Sequence, residues 1–243
     1  MAALTASAIA AASADYSDFA ALSEEKKDRL VWELHERHEW GSPDQKPICR
    51  DLLANQGYRF ANAIAWTTDA IDLAEKQGWS DLNPLISKIY QSPRNIWLYE
   101  RAFRHVRSQD GRPVSSNLVE EVETLRRAGY YRSTVTDEQL ANAKQRLMQN
   151  SDKEAVLVYT LGVACWHAGK GGTDRGRQAA VEILLGLRRE DVVGRLRQLH
   201  RDGENYMRHE IEWVMKHLSA DIGNNTPNQA SQAIGASAPQ PER

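Results

Sequence analysis

Several things are scarce in this chain of 243 residues, and each scarcity excludes something. There are two cysteines, Cys49 and Cys165, too few for a disulfide scaffold or for a zinc finger with four cysteine ligands. No run approaches the roughly 18 uninterrupted apolar residues of a membrane span. Neither sign of charge is in excess: 31 Lys+Arg face 33 Asp+Glu, so the molecule as a whole is not a polycation built for nucleic acid. Glycine-rich fingerprints after a strand are missing, and so is any alternation of strands and helices, which argues against a nucleotide-binding α/β fold. What remains is ordinary: 26% charged and 41% hydrophobic residues, the composition of a soluble globular protein with room for one or two cores, which we expect to be cytoplasmic.

The two ends carry little that could pack. Residues 1–17 open on MAALTASAIAAASA, and Ala12-Ser13-Ala14 resembles a signal-peptidase site. A secretory signal needs a positively charged start, whereas the first lysine here is Lys26. We read 1–17 as a flexible Ala-rich lead. Residues 221–243, rich in Gly, Asn, Pro, Ser and Gln, bury too little apolar surface to offset the entropy of ordering and are expected to be disordered.

Between the ends the apolar spacing has a helical period, and we expect an all-α bundle of about ten helices, possibly in two helical subdomains. Val31 and Leu34 follow Ser23, a candidate N-cap with Glu24 and Glu25 behind it. Phe60, Ile64, Ile71 and Ala74 form a stripe closed by Gly78, and Leu82, Leu85, Ile86 and Ile89 form the next. Pro93 opens a helix with Ile96, Tyr99 and Phe103; Leu118, Val122 and Leu125 run to Gly129. Thr136 with Gln139, and Ser151 with Glu154, read as capping boxes. AVLVYTLGVACWHA is apolar almost all round, so it is a central buried helix, ended by Gly169. Thr173 caps the next, and two more follow by Leu218. Only 130–135 looks extended, with at most a short strand pair.

The near-neutral total hides a division. Residues 1–100 hold 10 Lys+Arg against 15 Asp+Glu, whereas 101–220 hold 20 against 16. We therefore read an acidic N-terminal bundle over 18–92 and a basic C-terminal bundle over 93–220, with Gln91-Ser92-Pro93 or SQDGRPVSS (108–116) as the joint. The same asymmetry also fits two surfaces of one compact domain.

Candidate chemistry is sparse. His35 and His38, three apart, are candidate metal ligands, yet the zinc-protease spacing is absent; a solvated helix face is the plain alternative. The GKGGTDRGR segment leads a basic loop into a helix N-terminus, where free N–H groups favour anions. Lys170, Arg175 and Arg177 there are candidate phosphate, nucleic-acid or partner contacts, although a glycine-rich helix turn, in which Gly supplies the left-handed C-cap, is the plainer account of the pattern. Arg188 and Arg195 share a helix edge and complete this basic surface. Neither cysteine has the neighbours of a nucleophile, the seven tryptophans are spread out, and we expect no cofactor.

Arg195 and His200 also form an R-x(4)-H pattern that resembles HEPN-type helical ribonucleases, in which the Arg and the His act on the scissile phosphate. Residues 26–91 carry another likeness. Leu30, Val31 and Leu34, Ile48 to Leu53, Phe60, Ala61, Ile64, Ala70, Ile71, Ala74, the turn Gln77-Gly78-Trp79, then Leu82, Leu85, Ile86 and Ile89 resemble the effector-associated, death-fold-like adaptor domains of bacterial conflict systems. That resemblance implies a module without an active site that joins a protein partner. The expected function is thus binding to a protein partner or to a second copy, with nucleic acid as an alternative partner of the C-terminal half.

Overall fold

The computed structural model describes residues 15–56, 63–166, 172–203 and 205–224. It is all-α: among these residues there are eleven α-helices and no strand. They are α1 (Glu24–Glu36), α2 (Lys46–Asn55), α3 (Ala63–Gln77), α4 (Asn83–Gln91), α5 (Ile96–Gln109), α6 (Ser116–Ala128), α7 (Asp137–Gln149), α8 (Lys153–Ala164), α9 (Arg175–Leu185), α10 (Arg189–Asp202) and α11 (Asn205–Asn224). Most of the Ala-rich lead and of the tail lies outside the described residues, as do Phe60, Gly169 and Lys170; α11 runs past the boundary expected at 220.

Two apolar cores form. The first gathers Val31, Leu34, Ile48, Leu52, Ile71, Ile86 and their neighbours from α1 to α4, joined by Phe19 from ahead of α1 and Leu82 from just before α4, with Tyr16 packed on it. The second gathers α6 to α11 around α8, buried from Ala155 to Ala164. A helix with no polar side can only sit where every neighbour is protein, and α8 packs against α5, α6 and α9. α5 belongs to both cores. Its Leu98 and Ala102 enter the first, and its Ile96, Tyr99 and Phe103 enter the second.

Several local expectations shift by a few residues. α5 starts at Ile96, not at Pro93: Asn95, with extended backbone, accepts from the Trp97 N–H at 2.8 Å and is the N-cap. The segment before it is clamped by Gln56, which donates to Ser92 O (2.9 Å) and accepts from the Arg94 N–H (2.9 Å). The α8 cap is Asp152, accepting from the Ala155 N–H at 3.1 Å, so Ser151 lies just outside. α8 ends at Ala164, before Gly169. Thr173 does not cap α9, whose N-cap is Asp174. It serves α6 instead, donating its N–H to Gly129 O (2.9 Å) and its hydroxyl to Ala128 O (3.0 Å), which satisfies two carbonyls at that helix end. The capping box of Thr136 and Gln139 is present at α7.

The segment expected as an extended pair, 130–135, is a turn followed by irregular chain. The Val135 carbonyl that a strand partner would use is taken by both terminal nitrogens of Arg175, at 3.2 Å each. SQDGRPVSS is a tight turn rather than a tether. Gly111 takes a left-handed φ of 68°, and Arg107 and Arg112 exchange two hydrogen bonds across it at 2.9 Å.

Cys49 and Cys165 are free and fully buried, and burial pushes each thiol up to about 12. The folded protein is therefore expected to give no thiol reaction with Ellman's reagent at pH 8, and two equivalents after unfolding in guanidinium. A fast-reacting thiol in the native state would contradict this burial.

Candidate interaction groove

The basic surface expected along α10 is split by the helix itself. Residues Glu190, Asp191, Gly194, Arg195 and Gln198 line one side, and Arg189, Val192, Val193, Leu196 and Arg197 the other. The first side borders an open groove of about 650 Å³, completed by Lys153, Glu154 and Leu157 of α8 and by the Gly186-Leu187-Arg188 turn.

Arg195 is the centre of this groove. Its guanidinium stands 5.5 Å from the ring centre of Tyr90 and 5.3 Å from that of Tyr99. These two rings stack on each other at 5.6 Å, nearly parallel. Its Nη1 donates to Gln198 Oε1 at 2.8 Å, and its Nη2 reaches the Tyr90 hydroxyl at 3.5 Å. Among the described residues no carboxylate pairs with it. The Tyr90 hydroxyl donates to Glu154 Oε1 at 3.0 Å, and Glu154 is in turn held by Arg107 Nη1 at 3.0 Å. Arg107 also pairs with Asp152 at 2.5 Å. Burial, ahead of any neighbouring charge, pushes both tyrosine hydroxyls up, so they stay neutral. The Tyr99 hydroxyl is buried and, among the described residues, has no hydrogen-bond partner.

The other expected site residues are placed differently. Arg188 lies on the groove rim, exposed and paired with Glu190 and Asp191, so its charge is already met. Arg175 is tied to Val135 O and to Asp137 at 2.5 Å. Arg177 turns inward. It is buried, donates to Ala164 O at 3.0 Å and to Glu210 at 2.6 Å, and lies 3.8 Å over the Trp213 ring. The loop and Arg188–Arg195 groups therefore do not form one basic surface, and Lys170 lies outside the described residues.

Arg195 and His200 diverge. Arg195 reaches Tyr90 and Tyr99 on α4 and α5, whereas His200 bonds Glu212 of α11 at 3.1 Å. Five residues on one helix turn the second side chain well away from the first, and among the described residues the two share no hydrogen-bond partner. His35 and His38 also part. α1 ends at Glu36, and His38 takes a left-handed φ of 56° beyond it. His35 lies between Trp40 and Trp66, with ring centres at 5.1 and 6.0 Å, and faces Asp69 at 3.8 Å. Among the described residues no group of three or more metal-ligating side chains converges.

Tyr90, Tyr99, Lys153, Glu154 and Gln198 were not expected from the sequence. Tyr90 stands 105 positions before Arg195, and no spacing rule joins residues so far apart. Comparison with protein-family models, with curated proteins and with solved structures finds no match. No helix among the described residues is long and apolar enough to cross a membrane.

Proposed function

We propose that the chain is a non-enzymatic, cytoplasmic helical interaction protein whose basic half takes an acidic segment of a protein partner in the α8–α10 groove. One observation supports it above the rest: Arg195 lies against two stacked tyrosines and lines the groove, and among the described residues no carboxylate pairs with it. A guanidinium presented this way has little freedom left to lose on binding, and its planar fork suits a carboxylate in two-point contact. Lys153 adds a second cation on the wall; its ammonium donates to the Met148 carbonyl at 2.7 Å, and no carboxylate pairs with it among the described residues. Neutral tyrosines and a Glu154 already bound to Arg107 are suited to holding a ligand and ill suited to moving a proton. The acidic half would supply the second contact of an adaptor, in the manner its resemblance to the death-fold-like modules of bacterial conflict systems implies.

The test is a fluorescence-anisotropy titration with a labelled peptide of alternating glutamate and leucine pairs. Arg195→Ala is expected to weaken binding about tenfold or more, and Arg195→Lys is expected not to restore it. Equal binding by Arg195→Ala would refute the groove. Polyuridylate that binds more tightly than the peptide, with an affinity that falls steeply with salt, would favour nucleic acid instead. RNA cleavage abolished by His200→Ala would replace the proposal with the ribonuclease reading.

A further inference from the structure

Two surfaces away from the groove complement each other, and they lie on different cores. The first is the outer stripe of α1. Glu25, Arg29, Trp32 and Glu36 are exposed at helical spacing, with Asp28 beside them. Trp32 is 49% exposed, the most exposed tryptophan described. Arg29 is met by Glu33, itself shared with Arg37, so that part of the charge cancels. Glu25, Asp28 and Glu36 have no cation within ion-pair distance among the described residues. The stripe is therefore one large aromatic side chain set among unmatched acids.

The second surface is the far side of α10. There Leu184 of α9, Leu187 of the turn that follows it, Val192 and Leu196 of α10, and Met215 and Leu218 of α11 enclose a cleft of about 300 Å³. That is the small end of the range for ligand pockets and suits a single inserted ring. Arg189 and Arg197 stand on its rim, exposed, and no carboxylate pairs with either among the described residues. Ser219 lies at the edge. Its hydroxyl donates to Met215 O at 2.8 Å, which leaves its lone pairs to accept from an indole N–H. The cleft is thus apolar within, cationic at the rim, and able to accept one hydrogen bond.

We infer that the cleft binds α1 of a second copy of this chain, with Trp32 inserted between α10 and α11 and the acids of α1 facing Arg189 and Arg197. Size, charge and hydrogen-bonding chemistry each match. Within one chain α1 packs in the first core and the cleft lies on the second; the contact inferred here joins separate molecules. It is heterologous: each copy offers a head to one neighbour and a socket to another, and nothing in it limits growth to a dimer. The contact does not use Arg195 and shares with the α8–α10 groove only Leu187 among the lining residues, so it stands or falls separately from the binding proposed there.

Sedimentation velocity over a concentration series tests it. The wild-type chain is expected to grow beyond a dimer as concentration rises. Trp32→Ala, which loses the head, and the double variant Arg189→Glu/Arg197→Glu, which loses the socket, are each expected to weaken association at least about tenfold, with unchanged circular dichroism. An equimolar mixture of the two variants is expected to form a one-to-one dimer and stop there, because one intact socket and one intact head remain. Arg195→Ala is expected to associate like the wild type. A wild-type chain that stays monomeric throughout, a Trp32→Ala chain that still assembles, or a mixture that stays monomeric would each overturn the inference.

Discussion

Replacing Gly176 with alanine is expected to destabilise the protein by about 3 kcal/mol or more. A Cβ there would lie 2.1 Å from the Leu125 carbonyl oxygen and 3.1 Å from its carbon, with the Gly129 nitrogen 3.4 Å away. All three are backbone atoms, so no side chain can swing aside. α6 and α9 would have to separate where they cross, and the Thr173 bonds that close the α6 carbonyls lie at that crossing. Thermal unfolding should fall by roughly 6–12 °C, taking about 2–4 °C per kcal/mol for a chain of this size. Gly194→Ala is the control. Gly194 lies within α10 with nothing within 4 Å of its added Cβ, so the same substitution should stabilise by roughly 0.5–1 kcal/mol. Two losses of similar size would show that the close approach is not what matters.

Arg177→Met is expected to cost about 3–5 kcal/mol, read from urea unfolding curves. The side chain is only 6% exposed and its partner Glu210 13%. Removing the guanidinium strands a carboxylate in the interior and leaves the Ala164 carbonyl without its donor. The loss comes mainly from that stranded charge, not from the pair's own attraction. Adding Glu210→Met should therefore recover most of the stability, because an apolar pair of similar volume needs no partner. A double variant as unstable as the single one would place the effect elsewhere, with the contact to Trp213 the first candidate.

How far the sequence foretold these features depends on distance along the chain. The α8 run was legible because its residues are apolar on every side, and burial follows from that alone. The Thr136–Gln139 box was legible because both partners lie within one turn. Ser151 misled because Asp152, the better-placed acceptor, is its neighbour, and both types serve as caps. Arg177 read as a loop cation because the groups that draw it inward, Glu210 and Trp213, are more than thirty positions away. The groove shows the same limit. Arg195 was visible as one of a series of arginines, but not what distinguishes it: Arg188 is cancelled by local acids, while Arg195 rests on two tyrosines supplied by α4 and α5.

α5 turns one side into each core, and the ring it sends beneath Arg195 is Tyr99, one residue from Leu98 in the opposite core. Were the groove occupied as proposed, its ligand and the N-terminal half would be linked through this one helix. Any free energy by which a ligand favours the ordered α5 returns as resistance of the first core to opening, and a loosened first core taxes the groove's affinity by the same amount. The acidic half would then act as an effector of the basic one, with reciprocity guaranteed by thermodynamics and no moving part required.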